Sequence, residues 1–249
     1  MSTDTESYWD LRRQIILVCR MMYQQKLVTA TDGNVSARLP DGNLMITPSG
    51  ISKGFVTEDQ LIIIDRAGRK IAGAEGLRSS SEIKLHLVCY DKRDDIDAVV
   101  HAHPPTAVAF SIAGISLAQC ILPEVILSFG SIPTASYGTP STQELPDSIN
   151  DTIVTNDAII LERHGSVTVG TDVTDAFFKL EKMEHAAEIT YRARMLGRVT
   201  PLDSGEVDRL LDIRHKIGLK GRASVCNECG ICSDAVEHGV QKPAATESS

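Results

Sequence analysis

Residues 98–123 contain no Asp, Glu, Lys or Arg. A run of that length is enough to cross a bilayer as a helix. It is broken, however, by His101, His103, Pro104, Pro105 and Pro123. Proline removes a backbone donor and stops regular pairing. The run therefore reads as a buried strand over 97–103, a sharp turn, and a buried small-residue helix over 106–113. That reading excludes a membrane span and fixes a fold in which strand and helix lie together in a dry interior.

The flanking sequence supplies the partners. Leu11, Ile15, Val18 and Met22 recur at helical spacing, which predicts an amphipathic helix over 7–27. Residues 35–39 and 44–47 read as strands around Pro40-Asp41-Gly42-Asn43, a hairpin signal. Residues 61–64 form a short apolar strand, and Lys70-Ile71-Ala72 pairs back on it. Ser79-Ser80-Ser81-Glu82 opens a helix with the stripe Ile83, Leu87, Tyr90, its serines serving as caps. A strand over 131–135, a helix over 144–152, a strand over 158–161, further pairing at 167–169 and a long helix over 172–196 follow. Hairpins mixed with helices argue for an α/β/α sandwich with a mixed or largely antiparallel sheet.

Composition narrows the function classes. Lys plus Arg number 25 against 33 for Asp plus Glu, a net charge of −8. That disfavours a nucleic-acid binder, which carries a basic face. Aromatic residues at 4% leave few stacking platforms for bases. Hydrophobic residues at 42% suffice for a sizeable core. Met1 to Glu6 is polar and lacks a secretory pattern, so a cytoplasmic protein without disulfides is expected. Cys19, Cys89 and Cys120 sit in apolar segments and read as buried thiols.

His101-Ala102-His103 is the sharpest local feature. Residues i and i+2 of a strand share a face, so both imidazoles reach one point. Two convergent imidazoles suit zinc or another divalent transition metal. Two unrelated polar residues at a strand end have the same spacing. His164-Gly165 follows an apolar strand, and its histidine gains meaning as a ligand only beside the first two. Ser80-Ser81-Glu82 offers helix N-terminal N–H groups and hydroxyls, which bind phosphate, though a plain cap has the same composition. Thr31-Asp32-Gly33-Asn34 and Thr47-Pro48-Ser49-Gly50 are small polar loops able to present N–H groups to an anion, and are equally ordinary turns.

In this order the pieces resemble the class II aldolase/adducin family. The matches are Thr31-x-Gly33-Asn34-Val35-Ser36, Ile46-Thr47-Pro48-Ser49-Gly50, Ser80-Ser81-Glu82, His101-x-His103, Tyr137-Gly138-Thr139 and His164-Gly165, spread over residues 8–200. The resemblance implies a three-layer α/β/α sandwich with a central, mainly antiparallel sheet. It implies a homotetramer with active sites between subunits, acting on a small-molecule sugar phosphate, with no nucleic-acid or membrane partner. His101, His103 and His164 then correspond to metal ligands, joined by Glu82 in the empty site. The resemblance implies zinc as the ion, with manganese, cobalt or ferrous iron as alternatives. Glu82 corresponds to the catalytic acid/base. Thr31, Gly33, Asn34, Ser49, Gly50, Ser80 and Ser81 correspond to the phosphate cradle. The implied reaction is retro-aldol cleavage of a ketose 1-phosphate to dihydroxyacetone phosphate and an aldehyde.

One stretch departs from the pattern. Where fuculose-phosphate aldolases carry a tyrosine, the chain reads Cys120-Ile121-Leu122-Pro123-Glu124. Glu124 is the substitute catalytic group to test, and a smaller or less polar aldehyde half is expected, as in 5-deoxyribulose or methylthioribulose 1-phosphate. A sugar-phosphate 4-epimerase, decarboxylase or dehydratase shares the same metal and phosphate residues. A non-catalytic adducin-like module would have no need of three histidines and the glutamate. The aldolase-like domain is expected over 1–220. Residues 221–249 are expected to form a loose tail, bearing Cys226, Cys229 and Cys232 at metal-ligand spacing, with His238 as a fourth candidate.

Overall fold

The computed structural model describes residues 8–219, 221 and 222. Eight strands form one sheet in the order β4-β3-β2-β1-β5-β8-β7-β6. They are β1 (Asn34–Arg38), β2 (Leu44–Ile46), β3 (Ile62–Ile64), β4 (Lys70–Ala72), β5 (Ala98–Ala102), β6 (Thr134–Ala135), β7 (Ala158–Leu161) and β8 (Gly165–Gly170). Neighbours run antiparallel except β6 and β7, which are parallel. All five residues of β5 are buried, as its uncharged sequence requires.

Helices cover both faces. Val35, Ala37, Ala98, Val100 and Ala102 pack against α1 (Trp9–Gln24) and α7 (Val173–Leu196). Val99, Ile159, Leu161, Val167 and Val169 face the opposite way. They meet α2 (Ile83–Lys92), α5 (Glu144–Ser148) and α6 (Thr152–Thr155). Ala158 and Ile160 pack under α3 (Pro105–Ile112), α4 (Pro123–Phe129) and the later turns of α7. The result is the three-layer α/β/α sandwich with a mostly antiparallel sheet. Strand alternation puts His101 on the α2 side with Val99. Cys19, Cys89 and Cys120 are buried, and among the described residues no helix is long and apolar enough to cross a membrane.

Local differences from the sequence reading have physical reasons. The helix expected over 144–152 is two short helices, α5 and α6, separated by Ile149–Asp151. The strand expected over 131–135 shrinks to Thr134–Ala135, because Pro133 has no N–H to pair. The cap of α2 is not a serine: Glu82 holds that position, and Ser80 Oγ accepts from the Glu82 N–H at 3.2 Å. Helices α4 and α8 (Ser204–Lys216) are additional. The Cys226, Cys229, Cys232 and His238 tail lies outside the described residues.

At the sheet end where β5 and β7 begin, a buried ion network replaces apolar packing. Arg93 is 1% exposed. Its guanidinium donates to Asp157 at 2.7 Å, to Asp95 at 2.7 and 2.8 Å, and to the Ile153 and Asn156 carbonyls. Asp157 also accepts from Lys179 at 2.9 Å and from the Arg222 N–H at 3.1 Å, so the last described residues are tied to the sheet. Hydrogen bonds from Arg93 hold the Asp95 carboxyl down to about 2.

Removing one member of a buried pair strands the other charge. Arg93→Met should therefore lose about 3–5 kcal/mol of stability in urea unfolding; a change under 1 kcal/mol would show the network to be dispensable. Asp95 has a lowered folded pKa, so its contribution is present above its ordinary value of 3.8 and fades as pH falls toward 2. Asp95→Asn should remove that part of the acid-side loss, measured as stability against pH between about 4 and 2.

Candidate metal and phosphate site

The three histidines are delivered by neighbouring strands. His101 is the fourth residue of β5, and His103 follows its end. β8 pairs antiparallel with β5, setting Ser166 opposite Ala102. The turn joining β7 to β8 carries His164 and so lies beside the end of β5. Gly165 makes this approach achievable. A Cβ there would overlap the Ala102 carbonyl oxygen and come within 2.8 Å of His103 Cδ2 and 3.1 Å of His101 Cε1. Arg163, in the left-handed region at φ 58°, reverses the chain just before it.

The rings meet steeply inclined to one another, each pair of centroids 5.0 Å apart. His101 Nε2 lies 3.1 Å from His103 Nε2. Glu82, at the N-cap of α2, reaches across with both oxygens: Oε2 is 3.1 Å from His101 Nε2, and Oε1 is 2.9 Å from His164 Nε2. Ligand atoms of all four residues lie within 4.8 Å of one another.

Charge and hydrogen bonding identify what this cluster wants. His101 Nδ1 lies 2.8 Å from the Ser166 carbonyl oxygen, which can only accept, so Nδ1 carries the proton. In the neutral ring, Nε2 then turns a bare lone pair toward Glu82 and His103. Without a cation, His101 and His164 would have to bring protons to Glu82; against the burial that raises it, their charges and hydrogen bonds would then hold its carboxyl well below the carboxylate range. Burial, then His101 and His164, push the His103 ring down to about 3, leaving it neutral and ready to ligate. Acceptors facing acceptors are stable only around a cation. The spacings of 2.9–3.1 Å are close to the edges, about 3.3 Å, of a tetrahedron with metal–nitrogen bonds near 2.0 Å. The donor set thus fits a divalent metal. Asp32 Oδ2 stands 3.6 Å from His103 Nδ1, the usual type of partner for a metal-binding imidazole. His164 Nδ1 is buried without a partner.

The loops of the expected phosphate cradle meet next to Glu82. Asn34 Nδ2 donates to Ser80 Oγ at 3.0 Å and to Glu82 Oε2 at 3.1 Å. A bridge between Pro48 and Ser79, with the Ser49 N–H on the Arg78 carbonyl at 2.9 Å, sews the 47–50 loop to the serine segment. Ser49 and Ser81 line one cavity together with Arg78. Gly50 has φ 74°, which gives the turn a conformation that side chains disfavour. Gly33 lets the 31–34 loop pass against the β5 backbone, since a Cβ there would be 3.0 Å from the His101 carbonyl oxygen. The Thr31 carbonyl accepts from Lys53 Nζ at 3.0 Å, while the residue itself is exposed. Glu124 is exposed in the first turn of α4 and stands apart from the cluster.

Three contributors escaped the sequence reading. Asp32 lay in a loop read only for its backbone. Arg78 preceded the serines unremarked. Lys53 is 1% exposed and joins the Thr31 and Ile51 carbonyls, although a lysine in a Gly-Ile-Ser-Lys-Gly stretch reads as surface.

Residues 13–191 match the Class II Aldolase and Adducin N-terminal domain family. The chain is 38% identical over 179 residues to an L-fuculose phosphate aldolase of Methanococcus maripaludis, covering 72% of this chain and 94% of that protein. It is 29% identical over 211 residues to a 5-methylthioribulose-1-phosphate/5-deoxyribulose-1-phosphate aldolase of Escherichia coli, covering 84% and 97%. A solved L-fuculose 1-phosphate aldolase superposes with a TM-score of 0.76 at 26% identity, over 84% of this chain and 97% of the other.

Crowding at Gly165 gives a test of the cluster. Gly165→Ala should weaken zinc binding about 10- to 100-fold in a chelator competition while the protein remains folded; unchanged affinity would mean that the three rings do not bind together.

Proposed function

The chain belongs to the class II aldolase and adducin family, and on that premise we propose that it is a metal-dependent aldehyde-lyase cleaving a ketose 1-phosphate to dihydroxyacetone phosphate and an aldehyde. The observation that carries the reading is the meeting of three imidazole Nε2 atoms with both oxygens of Glu82, directly beside the Asn34–Ser80 pair. Family members that serve only as binding modules need neither half of that arrangement.

His101, His103 and His164 would hold the metal, with Glu82 completing the set before substrate arrives. Three nitrogens and a carboxylate oxygen favour zinc among the divalent ions. A bound divalent cation supplies Lewis-acid polarisation of neighbouring carbonyl and hydroxyl oxygens.

The remaining steps are assigned to the chain's own residues. Asn34, Ser49, Gly50, Ser80 and Ser81 grip the phosphate, with Thr31 and Gly33 shaping the loop, and so orient the carbon–carbon bond beside the cluster. Arg78, on the rim with Ser49 and Ser81, adds a positive charge for the same group. Glu82 is ionised and acceptor-only, so it takes up a proton from water and delivers it to carbon 3, the carbon freed when the bond to carbon 4 breaks, while the carbon-4 hydroxyl proton leaves to a second group. Release of the aldehyde needs a second group at the carbon-4 hydroxyl. Glu124 is assigned there, reaching the site of a neighbouring subunit in a homotetramer; its exposure, and its absence from the cluster of its own chain, agree with that role. The absence of a tyrosine at 120–124 favours a less polar aldehyde half, as in 5-deoxyribulose or methylthioribulose 1-phosphate, over fuculose 1-phosphate. Residues 1–220 are taken as the catalytic unit and 221–249 as an appendage to it. Sugar phosphates, being charged, suit a cytoplasmic enzyme.

A coupled assay for dihydroxyacetone phosphate decides the reaction. Fuculose, rhamnulose, 5-deoxyribulose and methylthioribulose 1-phosphates should be cleaved at different rates, and a chelator should stop release until zinc is restored. Release from none of them, with metal bound, would move the assignment to an epimerase, decarboxylase or dehydratase. His103→Ala should abolish both metal binding and turnover, and Glu82→Gln should keep the metal yet lose most turnover; an active Glu82→Gln enzyme would remove the proton-transfer role.

A further inference from the structure

Behind the proposed phosphate grip, Asn34 and Glu82 continue into a buried chain of polar groups, Ser36, His86 and Tyr90, that no step above uses. Asn34 and Ser36 are two apart on β1 and share its α2 face. Glu82, His86 and Tyr90 are four apart in turn, forming one stripe along α2 and its cap. Two strand residues advance about 6.6 Å and four helix residues about 6 Å, so the two rows stay in step. They interlock as Tyr90–Ser36–His86–Asn34–Glu82. Tyr90 OH is 2.9 Å from Ser36 Oγ, which is 2.6 Å from His86 Nδ1. His86 Nε2 makes a short contact with Asn34 Oδ1, and Asn34 Nδ2 reaches Ser80 Oγ and Glu82 Oε2. His86 and Ser36 are 0% exposed, and Asn34 is 2% exposed.

The proton positions along this chain are forced from the catalytic end. Glu82 is a carboxylate and can only accept, so the Asn34 amide must show it the NH2 group. That leaves Asn34 Oδ1 toward His86, and an amide oxygen also only accepts. His86 Nε2 therefore carries a proton. Its Nδ1, in the neutral ring, accepts from the Ser36 hydroxyl, which in turn accepts from Tyr90. Burial and the neighbouring His101 keep the ring neutral. Every group has one consistent role, and reversing any one of them sets like against like at Glu82. A rotated Asn34 amide would aim its oxygen at the carboxylate and withdraw both donors from the Ser80 side.

We propose that His86 is a positioning residue. As a neutral Nε2–H donor it locks the Asn34 carboxamide, and through it orients Glu82 and the Ser80 hydroxyl for the phosphorylated substrate. The proposal rests on the reading of Asn34 and Glu82 given above as part of an aldolase site. The lock itself can be tested without that reading.

The direct measurement is the 15N spectrum of the histidine ring nitrogens in the wild-type protein at pH 7, with His86 assigned by comparison with the His86→Phe spectrum, or by through-bond correlation to its backbone if that variant does not fold. A neutral Nε2–H tautomer is expected; an Nδ1–H tautomer or an imidazolium would overturn the proposal, whatever the enzyme's substrate. The second measurement uses inorganic phosphate as the probe. His86→Phe should weaken phosphate binding and lower kcat, each about 10- to 100-fold, while zinc still binds. His86→Gln, whose amide N–H can still donate to Asn34, should recover most of both. Equal loss in both variants with the fold intact would reduce His86 to a packing residue. Phosphate affinity that follows the expected order in a protein without aldolase activity would uphold the lock and sink the aldolase reading instead.

Discussion

Four electron-pair donors face one another inside the protein at the edge of the sheet, and most of the architecture serves to hold them there. Left without a cation, His101, His103, His164 and Glu82 repel or must share protons. Their convergence is therefore not a product of hydrophobic packing, and it has to be imposed by backbone. β5 imposes two of the rings through its two-residue repeat. The antiparallel partner β8 imposes the third by ending its hairpin where β5 ends. The carboxylate comes from a helix on the α2 face, which is the face His101 must occupy because Val100 and Ala102 fill the other.

The same sheet is used differently at its two ends. Where β5 stops, the ionisable groups are acceptors in excess, which is a demand for a cation. Where β5 and β7 start, Arg93, Asp95, Asp157 and Lys179 pair cations with anions, and the set is closed. A buried pair that satisfies itself has no chemistry left to offer. This contrast separates the functional end from the structural one better than burial does, since Arg93 and His101 are about equally hidden. It also explains why the last described residue, Arg222, docks at the closed end, away from the imidazoles.

Much of this was legible in the sequence where a period and a residue type coincide. His101-Ala102-His103 could be placed on one face because an uncharged strand was the only economical reading of residues 98–103. The helix after Ser81 was visible from its polar opening and apolar stripe. His164 carried no signal by itself, and acquired one only from its place after the other motifs. What stayed hidden was long-range or ran against composition. α8 buries only Val207 and Arg214, so its pattern is too weak to announce a helix. α4 is only seven residues, about two turns, too short to show a helical period. Lys53 and Arg93 look like surface residues until the loops close over them. His86 had the right spacing from Glu82, four residues, but the strand partner that gives the spacing meaning lies fifty residues away in Ser36.

The polar chain ending at Glu82 bears on how a site with such demanding electrostatics stays uniquely folded. A carboxylate among imidazoles has several near-equivalent arrangements, differing only in where protons and amide groups point. Such degeneracy costs a catalyst its preorganisation, because donors must be fixed before charge develops if they are to lower the barrier. Tyr90, Ser36 and His86 remove the alternatives one hydrogen bond at a time, and they do so from the α2–β1 interface, which substrate does not reach. Packing could fix the position of Asn34 but not the sense of its amide, since oxygen and nitrogen have nearly the same size. Only a hydrogen-bond donor of definite tautomer distinguishes the two ends. A histidine buried between a serine and an asparagine is suited to that task, and an apolar residue of equal volume is not.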